Sequence, residues 1–306
     1  MKSVNTCWLR YHITAMNASP DQSVAIVTGS SSGIGFETSL ILARNGFYTY
    51  ATVRKLDDGS IPITDIAKKE DLSLQTIQLD VNNEQSVIDG VNRISEEKGR
   101  IDVVVNNAGY ALMGALEETS MDEIKALFET NFFGALRVMQ AVIPTMRKQR
   151  RGKIVNVTSV AGRIALPLNS VYHGTKFALE GLSESIQYEL ESFGIKIIVI
   201  EPGGVASNFI KNLKMAHAKA SDPTKSPYRR IENRMLEAFK KIEQNGIRPS
   251  EVARVILDAV TSEDPQLRYL VGNDAATIME ARKNMSDREF ENMRKKQFGI
   301  QSGIDR

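Results

Sequence analysis

Between Ser23 and about Ile200, short apolar runs alternate with amphipathic stretches. Val24-Ala25-Ile26-Val27 reads as a buried strand, and Phe36 to Asn45 as a helix that Gly46 terminates. Further strands are expected at Phe47–Val53, Leu74–Leu79, Val103–Val105, Ile154–Val157 and Ile197–Ile200. Helices are expected at Glu84–Glu97, Met121–Arg147 and Val171–Ser192. Strands that are apolar at every position, rather than at every second one, need cover on both faces. That requirement predicts a parallel sheet between two helical layers, a doubly wound three-layer α/β/α fold. Beyond Gly204 the alternation breaks, and residues 206–246 are rich in Lys, Arg, Ala, Ser and Pro, with helical character near Ile231–Ile242. Pro249 opens a helix over Ser250–Thr261, and Leu267–Val271 reads as a last strand before a charged, helical tail. No repeat or long linker divides the core. The expected organisation is one domain over 23–274 with a substrate lid at about 204–246, and a helical tail at 275–306. Residues 1–22 are polar, with isolated Trp8 and Tyr11 and no period, and are expected to be a disordered extension. They lack the apolar stretch of a signal peptide, and Met16 is an alternative start.

Composition narrows the function classes. A net charge of +2 over 306 residues gives no reason to expect nucleic acid or an anionic membrane surface as partner. The single cysteine, Cys7, excludes an intrachain disulfide, which is compatible with a cytoplasmic protein. No apolar run reaches the roughly 18 residues of a membrane span. The three His, one Cys and scattered carboxylates show no metal-ligand spacing.

The first strand is followed by Thr28-Gly29-Ser30-Ser31-Ser32-Gly33-Ile34-Gly35, which opens the first helix. Gly29 permits the tight turn, Gly33 lets backbone approach a pyrophosphate, and Gly35 allows close helix–strand packing. The helix N-terminus offers free N–H groups and a positive dipole end to the anion. Glycines also make ordinary loops; the strand–glycines–helix context favours a Rossmann-like nucleotide site. The spacing is not that of a P-loop. After the second strand come Arg54 and Lys55, with no carboxylate until Asp57. A basic pair there suits the 2′-phosphate of NADP(H), whereas an acid would suit NAD(H), which stays possible. The bland alternative is a solvated basic loop. Asp80 and Val81, after the third strand, can meet an adenine; Asp80 can also be a simple helix cap.

Tyr172 and Lys176 stand at i and i+4 on one helix face, itself a common surface spacing. A free tyrosine titrates near ~10, and a neighbouring ammonium is expected to lower that value toward a useful base. Ser159, just past a strand's carboxyl end, can hold the reacting oxygen by its hydroxyl. The glycine turn, Asn106-Asn107-Ala108-Gly109, Asn131, Ser159, Tyr172-x-x-x-Lys176 and Pro202-Gly203 occur in order and on suitable elements. In these motifs the chain resembles the short-chain dehydrogenase/reductase family, in its core-length form and its hydroxysteroid- and retinol-dehydrogenase-like branch, over about Ser23–Gly204.

The resemblance implies hydride transfer between a nicotinamide and a carbonyl or secondary alcohol. Tyr172 would exchange the proton, Lys176 would hold the nicotinamide ribose, and Asn131 would anchor a water that relays protons to Lys176. Asn107, Ala108, Gly109, Pro202, Gly203 and Val205 would face the cofactor; Ser207 stands near where many relatives have Thr. His173 has no evident partner in the sequence and takes no catalytic role, and Gly174 suggests close packing beside the cofactor. Ser159, Tyr172, Val160, Leu166 and Asn169, with Tyr110 and Met113, would meet a lipophilic small-molecule substrate. Basic residues of the lid, including Lys211, Lys214, Lys219, Lys225, Arg229 and Arg230, leave room for an anionic tail on it. The long helices suggest a homodimer or homotetramer, as in relatives. The alternative is a catalytically silent NADP(H)-binding redox sensor, which has no need of Ser159, Tyr172 and Lys176 together; isomerase or dehydratase chemistry on the same scaffold is a third.

Overall fold

The computed structural model describes residues 22–56, 62–207, 213–216, 222 and 226–300. The expectations for residues 1–21 (Cys7 and Met16 included), for Asp57, and for Lys211, Lys219 and Lys225 lie outside the described residues.

Strand β1 (Val24–Val27) is buried at every position. Its side chains alternate between two cores. Val24 and Ile26 join Tyr50, Ile77, Ile94, Val138 and Met139 on one face. Ala25 and Val27 join Leu42, Val105, Val155, Val252 and Ile256 on the other. This two-sided burial is the reason the strand reads as an unbroken apolar run. The helix α1 (Gly33–Arg44) is followed by β2 (Tyr48–Val53), α2 (Pro62–Lys69), β3 (Leu74–Gln78), α3 (Glu84–Lys98) and β4 (Val103–Asn106). Then come a two-residue strand β5 (Leu112–Met113), α4 (Met121–Phe128), a π turn at Glu129–Phe133, α5 (Gly134–Gln149), β6 (Gly152–Val157), α6 (Ser170–Leu190) and β7 (Ile195–Pro202). The remainder holds β8 (Lys214–Met215), α7 (Arg229–Asn245), α8 (Pro249–Thr261), β9 (Arg268–Val271), α9 (Asn273–Asn284) and α10 (Asp287–Phe298).

Seven strands form one parallel sheet in the order β3-β2-β1-β4-β6-β7-β9, as expected for a Rossmann-like doubly wound fold. The strand order reverses direction between β1 and β4. Loops leaving the carboxyl ends of these two strands diverge to opposite faces and open a crevice, where ligands bind in such sheets.

Three details depart from the sequence reading. The helix expected over Met121–Arg147 is broken by the π turn, which carries the buried Asn131. Gly134, just after it, lies so close to Val81 that a Cβ would come within 2.8 Å of that side chain. Helix α2 was not expected, only half of its eight residues being polar and the rest too few to show a period. Strands β5 and β8 pair in parallel, Leu112 with Lys214 and Met113 with Met215. Two-residue strands carry no readable period, yet this pair ties the segment after β7 to the loop after β4.

Candidate active site

A cleft of about 1550 Å³ lies over the carboxyl ends of β1, β4, β6 and β7. Its floor at the β1 end is the glycine turn. Gly29 and Gly33 have φ of 69° and 62°, left-handed values that favour glycine. A Cβ on Gly33 would meet only Ser207, at 3.7 Å, so the backbone there faces open space. Gly35 serves a different need: a Cβ would fall 2.4 Å from both Asn107 Nδ2 and Gly29 O. Asn107 Nδ2 donates to Thr28 O (2.9 Å) and Gly29 O (3.2 Å), fastening the turn to the loop after β4. Ser32 caps α1 in extended conformation without a side-chain hydrogen bond, and the first turn carries no acid. The first N–H groups of α1 are thus left without a side-chain acceptor at the positive end of the dipole, beside the lining residues Ser31, Ser32, Gly33 and Ile34. This cradle fits a pyrophosphate.

Arg54, exposed at the end of β2, lines the cleft, whereas Lys55 does not. Asp80 and Val81 line it too; Asp80 Oδ1 accepts from Asn82 N at 3.0 Å, a turn before the true cap of α3, Asn83. Ala108, Gly109, Pro202, Gly203 and Val205 complete that half.

Ser159, Tyr172 and Lys176 meet at the middle of the cleft. The Ser159 hydroxyl donates to Pro202 O (3.1 Å) and accepts from Ala161 N (3.1 Å), which aims it along the end of β7. It is also hydrogen-bonded to the Tyr172 hydroxyl. Lys176 Nζ stands 5.8 Å from the Tyr172 ring centroid and donates to Val157 O at 2.9 Å. The expected lowering of the tyrosine by this ammonium is not what the structure shows. Burial pushes the Tyr172 phenol well above its ordinary range, against a smaller opposing effect of the Ser159 hydrogen bond. Burial also pushes Lys176 down to about 8, against the attraction of Glu180. Two polar groups taken out of water together each disfavour charge, so the phenol keeps its proton at neutral pH.

Asn131 does not line the cleft. Its carboxamide is committed: Nδ2 donates to Tyr110 O (3.0 Å) and Thr175 Oγ1 (3.2 Å), and Oδ1 accepts from Tyr110 N (3.0 Å). It thereby joins the loop after β4 to α6. His173, for which the sequence offered no partner, has two. Its Nε2 accepts from Leu166 N (2.8 Å), so Nδ1 carries the hydrogen and donates to Ala161 O (2.8 Å). Burial lowers its pKa, as a neutral structural imidazole requires. Gly174 faces Phe128, which a Cβ would meet at 3.4 Å, rather than the cleft.

Val160, Leu166, Asn169 and Tyr110 line the cleft, but Met113 does not: it is fully buried beneath, against Met235 and Phe298. On the opposite wall, Met235 and Phe239 of α7 lie within the segment expected as a lid, whereas Ile278 of α9 and Met293, Arg294 and Phe298 of α10 were not expected there. The available signal was the i, i+4 pair Arg294 and Phe298 on a tail helix. Nothing local tells that this face turns back over β4.

Among the described residues, no helix is long and apolar enough to cross a membrane. A profile of the family described as short chain dehydrogenase matches residues 23–218. The chain is 37% identical over 251 residues to retinol dehydrogenase 8 of Homo sapiens, covering 79% of each protein. It is 35% identical over 249 residues to a 3-ketodihydrosphingosine reductase of Bacteroides thetaiotaomicron, covering 81% of this chain and 87% of that one. The crystal structure of a short-chain dehydrogenase from Streptomyces avermitilis superposes with a TM-score of 0.75 at 29% identity, covering 92% of this chain and all of the other. With the fold, the ordered motifs and these likenesses together, the chain belongs to the short-chain dehydrogenase/reductase family, oxidoreductases that act on CH–OH and C=O groups with a nicotinamide dinucleotide.

Proposed function

We propose that this protein is an NADP(H)-dependent oxidoreductase of a lipophilic carbonyl or secondary alcohol, with Tyr172 as its proton donor and acceptor. The observation that carries this reading is the hydrogen-bonded pair of Ser159 and Tyr172 hydroxyls, with Lys176 one helical turn on, in a cleft whose other half is an uncapped helix N-terminus. Gly29, Ser31, Ser32, Gly33 and Ile34 would hold the pyrophosphate, Asp80 and Val81 the adenine, and Arg54 the 2′-phosphate. Asn107, Ala108, Gly109, Pro202, Gly203, Val205 and Lys176 would hold the nicotinamide end. The bound nicotinamide supplies or takes the hydride. Tyr172 delivers the proton to the carbonyl oxygen in reduction and removes it from the alcohol in oxidation. Ser159 orients that oxygen through its hydroxyl. Lys176 places a cation behind Tyr172, stabilising the phenolate that forms when the proton leaves. Asn131 keeps the loop after β4 in register with α6, both of its side-chain N–H donors being used, so a relay water would have to meet one of its carbonyl oxygens.

The substrate half of the cleft presents Val160, Leu166, Met235, Phe239 and Phe298, with Asn169 as a polar exception. Such a wall gains most from covering apolar area, at about 25 cal/mol per Å². The likeness to a retinol dehydrogenase and to a 3-ketodihydrosphingosine reductase supports the same reading. NADPH oxidation is expected with lipophilic ketones and aldehydes and not with sugar phosphates. Tight NADPH binding with no turnover across such a panel would instead favour the sensor reading.

Arg54 carries the cofactor preference. Among the described residues it forms no ion pair, so its charge is available to a phosphate. Arg54→Glu is expected to weaken NADPH by about 10- to 100-fold, the worth of a charge-assisted hydrogen bond, while changing NADH by much less. Dissociation constants from fluorescence titration test this, and an unchanged NADPH-to-NADH ratio refutes it.

A further inference from the structure

The wall that faces Leu166 carries a cation with no ion-pair partner among the described residues. Arg294 lies on α10, lines the cleft, and stacks on Phe298 with its guanidinium carbon 4.9 Å from the ring centroid. Its one hydrogen bond among the described residues runs from Nη1 to Gln297 Oε1 (2.6 Å), and Nε is buried without an acceptor. No carboxylate among the described residues forms an ion pair with it. Buried guanidinium groups in proteins are normally paired, because the desolvation of the charge is otherwise not offset. Here burial lowers the pKa of Arg294 with nothing opposing it. The charge is felt inside the site, since it also disfavours the charged form of His173, the neighbour of Tyr172.

Other cations line the same cleft. Lys214, fixed by the β5–β8 pairing, sits 4.4 Å over the Tyr110 ring, and Lys296 is on the same helix as Arg294. Arg234 is differently employed: its Nη1 donates to the carbonyls of Phe298 and Gly299 and pins the end of α10. Among the described residues, the acids on this side are Asp274, which accepts from Gly204 N at 2.7 Å, and the exposed Glu237.

We propose that Arg294, supported by Lys214, binds a carboxylate on the substrate, making the preferred substrate an amphipathic oxo- or hydroxy-acid. This rests on the oxidoreductase reading above and adds the chemistry of the distal end. The apolar body lies along Leu166, Met235 and Phe298, the reacting carbon lies at Tyr172, and the acid reaches Arg294. A monoanion suits this wall better than a phosphate dianion, because the cost of removing charge from water rises steeply with its magnitude and a single guanidinium is its principal partner.

The test compares a 12-carbon oxo-acid with its methyl ester under saturating NADPH. The wild-type protein is expected to favour the acid by about 10- to 100-fold in kcat/KM, the factor one charge-assisted hydrogen bond supplies. Arg294→Met is expected to bring that ratio close to one, and Arg294→Lys, which keeps the charge, to retain part of it. A wild-type ratio near or below one overturns the proposal, as does an Arg294→Met ratio equal to the wild-type value. Binding without turnover gives a separate reading: dodecanoate should raise the Tm of the wild type more than methyl dodecanoate does, and lose that advantage in Arg294→Met. Stronger stabilisation by dodecyl phosphate than by dodecanoate would overturn the carboxylate assignment. Turnover of the ester with no acid preference defeats this proposal alone, whereas the absence of turnover with either compound and with the carbonyl panel defeats the oxidoreductase reading.

Discussion

Tyr172→Phe should lower kcat/KM by about 10²- to 10⁴-fold, the usual worth of a positioned general acid, while leaving NADPH affinity within a few-fold of wild type. The ring survives in this variant, and so does its packing against Leu112, Leu127 and Val171. What disappears is the hydroxyl that meets Ser159. Steady-state kinetics paired with NADPH fluorescence titration separates the two effects, and full activity in the variant would overturn the mechanism. The pH dependence has a definite sign. In the proposed mechanism reduction needs the proton on Tyr172, and burial holds that proton to well above neutral pH. Lys176 gives up its charge at about 8 in this structure. Reductive kcat in the wild type is therefore expected to be flat below about pH 8 and to fall above it, as the cation that stabilises the phenolate is lost.

Arg268→Leu should destabilise the fold by about 3–5 kcal/mol, the cost of leaving buried charges without their partner. Arg268, on the edge strand β9, donates from Nε to Glu180 Oε2 (3.1 Å) and from Nη2 to Glu184 (2.7 Å), and lies 3.6 Å from Glu201. Glu180 and Glu201 have side chains only 5% and 1% exposed, so water cannot take over. Arg163 holds Glu201 at 3.0 Å, and Thr158 donates to Glu180 at 2.6 Å, which places this network directly beneath Ser159. Burial, and then the charge of Glu201, already raise the Glu180 carboxyl, and removing Arg268 raises it further. A carboxyl raised in the folded state binds a proton that the unfolded chain has released. Stability then falls as pH rises from the ordinary carboxylate value through the raised one. The loss in Arg268→Leu, measured by urea unfolding, should accordingly be larger at pH 8 than at pH 5. Adding Glu180→Leu should recover part of it, and equal losses at both pH values would contradict this account.

The parts legible in the chain are those in which physics acts between near neighbours. A strand buried on both faces must be apolar at every position, so β1, β4 and the core of β7 stand out as unbroken runs. A turn that needs left-handed backbone must place glycine at 29 and 33. A lysine that works beside a tyrosine on one helix must follow it by one turn, as Lys176 follows Tyr172. The two-residue strands β5 and β8 and the π turn at Glu129–Phe133 left no such mark, because their pairing is set by contacts from outside the segment.

By itself, then, the sequence determined the doubly wound sheet, the glycine turn after β1 and the proposed set of Ser159, Tyr172 and Lys176. Only the tertiary structure decided how those groups behave. Spacing alone predicts an ammonium that depresses the phenol, yet the fold buries both groups and points Lys176 Nζ at Val157 O, so desolvation outweighs attraction. Spacing leaves His173 without partners, yet the loop between Ala161 and Leu166 closes on both ring nitrogens. The far wall of the cleft joins Lys214, Met235 and Arg294 to Tyr110 across more than a hundred residues. Burial and long-range charge depend on where the chain returns, and no local pattern encodes that.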